Sequence, residues 1–165
     1  MTVAMPEVAP GSVPARMYEA EVAAFHEGRP GTVRGLMLIQ LVWPEVVAYV
    51  YNVLSSPWVQ ERWPGLDATP VRERHGRGAY VTGKGEIHLP PGARGPVYLL
   101  HEIAHRATSK FVDEPHGPEF CGVYLALLRK FVGAPAERLL RGELEQRDIH
   151  PVDTLVTDHP ARRAA

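Results

Sequence analysis

The chain has 165 residues, 45% of them hydrophobic, and carries 18 Lys+Arg against 19 Asp+Glu for a formal charge of −1. That length and apolar share suit one globular domain with a real core, and the charge balance asks for neither nucleic acid nor an anionic membrane as partner. A lone cysteine, Cys121, excludes an internal disulfide and fits a reducing, cytoplasmic setting.

Residues 1–15 are rich in Pro, Ala and Val without a basic run before an apolar core, so they read as a flexible tail and not as a secretory signal. Ala15 to Glu27 is expected to be a helix, with Met17, Val22, Ala24 and Phe25 partly buried and Gly28 as its stop. Thr32 to Val42, rich in β-prone residues, is expected to be a strand. A helix should follow from Pro44, which suits a first turn, with Val46, Val47, Val50 and Leu54 as its apolar stripe. Gln40, Pro44, Glu45 and Asn52 interrupt this apolar region and argue against a membrane span. Pro57 and Pro64-Gly65 mark a turn-rich connection. Three short strands are expected at 70–74, 79–81 and 86–89, separated by glycine-bearing turns. The turns Gly76-Arg77-Gly78 and Gly83-Lys84-Gly85 lack the strand-to-helix context of a phosphate loop. Helices are expected from Pro96, over Pro118 to Val132 and over Pro135 to Gln146. Residues 151–165 read as a second flexible tail, leaving one domain over 16–150.

The chemistry concentrates in His101-Glu102-Ile103-Ala104-His105. Two histidines at i and i+4 share one helical face and can grip one metal ion, while the intervening glutamate suits a general base acting on a water. A catalytic zinc site usually takes three protein ligands. The compact pattern with a third histidine six residues after the second is excluded, because Thr108 and Phe111 stand where glycine and histidine are required. Two candidates remain in His116-Gly117-Pro118-Glu119-Phe120. His116 is preferred over Glu119, since imidazole is the commonest metal ligand and Gly117 permits close approach. Cys121 is a conceivable fourth ligand that reads better as a small core residue on the following helix.

The pair HEIAH and HGPEF resembles the SprT-like metalloprotease superfamily, whose mark is H-E-x-x-H, a spacer of about ten residues and then H-G-x-x-F. The stretches Pro57-Trp58-Val59, Arg62-Trp63-Pro64 and Leu139-Leu140-Arg141 also look like a group of small bacterial metallohydrolases in that superfamily. The resemblance is strongest over 80–132 and extends more weakly over 16–150. It implies an α+β, zincin-like fold with a small sheet packed on helices. It further implies zinc held by His101, His105 and His116, with Glu102 as catalytic base. Some members add a cysteine zinc ribbon or a DNA-binding tail. Neither is present in this sequence, so action on DNA-bound proteins is not carried over.

The expectation is therefore a cytoplasmic zinc metallohydrolase, most simply a peptidase acting on peptide or protein, with no membrane partner. Tyr80, His88, Arg106 and Tyr124 are candidate oxyanion stabilisers, and the strand at 86–89 is expected to border the site as an edge that receives substrate. A non-catalytic zinc-stabilised interaction domain is the alternative. A DNA-associated protease is the third reading, supported only by scattered basic residues (Arg72, Arg74, Arg77, Arg129, Lys130).

Overall fold

A computed structural model describes residues 9–26, 28–29, 32–76, 78–110, 112 and 114–153. Residues 1–8, most of the expected N-terminal tail, and 154–165, most of the C-terminal one, lie outside that set. The architecture is α+β: six α-helices, two short 3-10 helices and a small mixed sheet of three strands among the described residues. None of these helices is long and apolar enough to cross a membrane.

Helix α1, Val13–Phe25, begins where Ser12 Oγ accepts the Ala15 N–H at 3.3 Å, satisfying one of the amides that a helix start leaves free. Residues 13–15 thus belong to a helix and not to a tail. Met17, Ala20, Ala24 and Phe25 form its buried stripe and Val22 is only half-buried. Glu21 lies on that stripe too, at 2% exposure.

The expected strand at 32–42 is instead a 3-10 helix, Val33–Leu38, followed by extended chain. Its apolar residues carry no alternation, and the amides of Gly35 and Ile39 close onto Thr32 and Leu36 three residues back. Leu41 N–H then bonds the carbonyl of Arg94, tying this segment to the approach of the metal-site helix rather than to the sheet. Helix α2, Trp43–Leu54, starts with Glu45 accepting the Val42 N–H at 3.0 Å and buries Val46, Val50, Val53 and Leu54. The proline-marked connection after it contains a short helix, α3, Pro57–Arg62, because Ser56 caps it and Pro57 fits its first position.

Strands β1 (Val71–Glu73), β2 (Tyr80–Val81) and β3 (Ile87–Leu89) fall inside the expected ranges. Their order is β1-β3-β2, with β1 parallel and β2 antiparallel to β3. This corrects the expectation of β3 as an edge: His88 is paired with Arg72 on one side and Tyr80 on the other. The 83–85 turn folds β2 onto one side of β3, and β1 takes the other, so β1 and β2 are the edges. Ile87 and Leu89 are fully buried against the helices.

Helix α4, Pro96–Thr108, is the central element and packs on α2, α5, the 3-10 helix and the sheet. Val97, Leu99, Leu100, Ile103 and Ala104 are all inaccessible; each large apolar side chain so buried contributes about 1.5–3 kcal/mol. Helix α5, Pro118–Phe131, lies against α4 and against α6, Ala134–Glu145. Beyond α6, Val152 N–H donates to the Pro118 carbonyl at 2.9 Å. Residues 151–153 therefore run over the start of α5.

This crossing explains Gly122 in the middle of α5. A Cβ there would drive into the carbonyl of Val152, whereas a Cβ on Gly142 in α6 meets nothing within 4 Å. Gly→Ala in an open helix interior gains about 1 kcal/mol. Gly142→Ala is therefore expected to raise the melting temperature, and Gly122→Ala to lower it, with overpacking costing on the order of 1–3 kcal/mol of stability. Thermal melts of both variants check the pair, and a neutral Gly122→Ala would contradict the docked position of residue 152.

Candidate metal centre

Helix α4 sets two imidazoles one turn apart on the face turned to α5. The third comes from His116, two residues before Pro118 opens α5 and one before its N-cap Gly117. The Nε2 atoms of His101, His105 and His116 form a triangle with sides of 3.1, 3.1 and 2.9 Å. His101 and His116 are buried at 4% and 8% exposure and His105 is half-buried, so the triangle is most open on the His105 side. His116 holds φ +69, a left-handed conformation that costs a residue with a Cβ about 1–2 kcal/mol. Such strain survives where surrounding structure imposes it, commonly at functional sites.

Rings close the back of the triangle. Phe120 lies 4.3 Å from the His105 ring and about equally far from the other two, at 5.1 and 5.0 Å. Tyr124 stands 5.5 Å from His101. From α1, Tyr18 packs on His101 at 5.7 Å and on His116 at 4.9 Å. An apolar wall of this kind lowers the local dielectric and strengthens every charge interaction inside it.

Two carboxylates complete the site. Glu102 is buried at 6% exposure, and its Oε2 has no hydrogen-bond partner among the described residues. Burial pushes its pKa up to about 7, with Glu21 adding to the rise and His101 opposing it. Glu21 accepts the Nδ1–H of His101 at 3.0 Å. Burial alone would lower the His101 pKa, but the charge and hydrogen bond of Glu21 outweigh it and the net shift is upward. His105 is driven down by burial and by its two histidine neighbours. His116 is pushed down to about 3 by burial and then by His101.

The donor set fits a divalent cation. Three imidazole nitrogens within 3.1 Å of one another cannot all be satisfied by bonds among themselves. Glu21 and Glu102 are buried beside them, and no Lys or Arg forms an ion pair with either among the described residues. Buried charges are normally paired or coordinate metals, and these two negative charges balance one dication held by neutral rings. The three histidines can hold such an ion.

The other expected participants are not donors in the histidine cluster. Glu119 sits in the first turn of α5 and is not part of the cluster. Cys121 is fully buried with its Sγ against the His116 carbonyl at 3.5 Å, outside the triangle. Among the oxyanion candidates, Tyr124 donates its hydroxyl to the Val97 carbonyl and Arg106 its Nε to Thr69. Tyr80 and His88 stack on each other across the β2–β3 pair. Glu21 and Tyr18 were not anticipated. The signal available for Glu21 was its place among Met17, Ala20 and Ala24, where an acid on an apolar stripe requires a buried partner.

The depressed ring pKa values have a direct consequence. In metal-free protein, His105 and His116 are expected to stay neutral down to pH 5, where an exposed imidazole with a pKa near 6.5 is protonated. Both therefore keep a lone pair for metal across that range. Ring nitrogen shifts followed by NMR check this, and protonation of either near pH 6.5 would contradict it.

Comparison with family models, with curated proteins and with solved structures returns no match for this chain.

Proposed function

We propose that the chain is a zinc-dependent hydrolase of the zincin type, acting on amide bonds of a peptide or protein, and that it belongs with the SprT-like metalloproteases its two motifs resemble. The observation that carries the reading is buried Glu102, whose Oε2 has no hydrogen-bond partner among the described residues, next in the chain to one corner of a triangle of three histidine nitrogens. A structural zinc site is normally closed by four side chains and favours cysteine; here three gather, and Cys121 turns to a carbonyl instead.

A zinc ion held there supplies Lewis acidity for a substrate carbonyl and brings the acidity of water towards neutral pH. His101, His105 and His116 are the residues that hold it. Glu102 takes the proton of the attacking water at its free oxygen and returns it to the leaving amine nitrogen. In the metal-free chain burial raises the Glu102 pKa, and a bound dication would oppose that rise and favour the carboxylate that accepts the proton. Phe120, Tyr124 and Tyr18 line the metal side and keep bulk water from competing.

Extended substrate would pair with β1 or β2, the edge strands among the described residues, because β3 is paired on both sides. A cytoplasmic location fits the single thiol and is part of the same reading. The test compares wild type with Glu102→Gln on a quenched-fluorescence peptide library, with metal content measured on both proteins. Cleavage that survives the substitution, or a substitution silent in every assay, refutes the catalytic reading.

A further inference from the structure

Helix α1 reaches the metal centre only through side chains of one face, at positions 18 and 21. Tyr18 lays its ring against His101 and His116, and Glu21, one turn on, meets Nδ1 of His101. Glu21 comes from 80 residues away in the chain and is almost inaccessible, at 2% exposure. Burying a carboxylate costs several kcal/mol unless its charge is answered, yet its one ion-pair partner among the described residues is an imidazole. Of the three clustered histidines, only His101 has a hydrogen-bond partner at Nδ1 among the described residues.

We propose that Glu21 is the positioning residue of the metal centre. It holds the His101 proton on Nδ1, so that Nε2 faces the cluster as a lone pair, and it supplies one of the two negative charges that offset a bound dication. The inference rests on the metal-site reading above and not on hydrolysis. A neutral imidazole can carry its proton on either nitrogen, and only one tautomer offers Nε2 to a metal. A carboxylate on the far nitrogen selects that tautomer, fixes the ring plane and makes the ligand more basic, and loss of such a partner typically costs 10–100-fold in metal affinity.

The test titrates zinc into the full, metal-stripped chain against a chromophoric chelator. Wild type, Glu21→Gln, Glu21→Ala, His105→Ala and Glu119→Gln are compared. Glu21→Gln keeps an acceptor for Nδ1–H but loses the charge, and should weaken zinc about tenfold. Glu21→Ala loses both and should approach 100-fold. Glu119→Gln removes the same charge outside the cluster and should match wild type. Long-range NMR correlations of the His101 ring in zinc-loaded wild type supply a reading that needs no variant: Nδ1 protonated and Nε2 metal-bound. Coordination through Nδ1, an unprotonated Nδ1, or wild-type affinity in a folded Glu21→Ala protein overturns the proposal. If His105→Ala abolishes zinc binding while the Glu21 variants do not, the metal site stands and this role of Glu21 falls. If Glu21 controls affinity and no peptide is cleaved, the hydrolase reading fails alone.

Discussion

Glu102→Gln is expected to retain one zinc per chain while losing hydrolysis by orders of magnitude. Both proton transfers of amide cleavage run through that carboxylate, and general acid–base catalysis alone is worth about 10²–10⁴-fold. Glutamine matches the shape but cannot accept the proton. The same substitution should not destabilise the metal-free protein, and above neutral pH it should stabilise it. The Glu102 pKa is raised by burial from an ordinary carboxylate value to about 7 in the folded state. The folded protein therefore binds more protons than the unfolded chain between these values, so stability falls as pH rises through that window. The loss is on the order of 1–3 kcal/mol, and removal of the titrating group should flatten that part of the profile. Denaturation of metal-free wild type and variant between pH 4 and 8 measures it. A variant that loses stability at pH 8 would show that Glu102 is a structural carboxylate.

The parts of this site that could be read from the chain are those whose spacing is local. Pro96 and Pro118 mark the first turns of α4 and α5, and the i, i+4 histidines need only a helix to be brought together. His116 follows from chemistry that demands a third ligand nearby. The three strands were legible from their glycine turns, but their order was not. Pairing β1 in parallel with β3 depends on contacts across the domain, and local pattern carries none of that information. The segment at 33–38 misled because its apolar residues follow no clear period, and burial follows none either: Met37 is buried while Leu38 beside it is exposed. Glu21 was invisible to motif spacing, since its partner His101 lies in another helix. Its helical register nonetheless placed an acid on the stripe that faces the core.

Replacement of His116 should abolish tight metal binding and reveal the strain stored at that residue. His116→Ala leaves two imidazoles from one helix, too few for a site that ordinarily needs three protein ligands, so affinity should drop by orders of magnitude. Glu119→Ala should keep the metal, because Glu119 stands outside the triangle. The reverse pattern would make Glu119 the third ligand. The backbone adds a second comparison. At φ +69, alanine keeps the left-handed penalty of about 1–2 kcal/mol, whereas glycine adopts that conformation freely. His116→Gly should therefore bind metal no better than His116→Ala, yet in metal-free form be the more stable of the two by about 1 kcal/mol, after allowance for the greater freedom of glycine in the unfolded chain. Denaturant midpoints of the two apo variants decide it. Equal midpoints would mean that residue 116 leaves its strained conformation once the imidazole is gone. The left-handed conformation would then be held by the side chain packed against Phe120 and Tyr18, and not by the turn, closed from Gly117 N–H to the Glu114 carbonyl, that contains it.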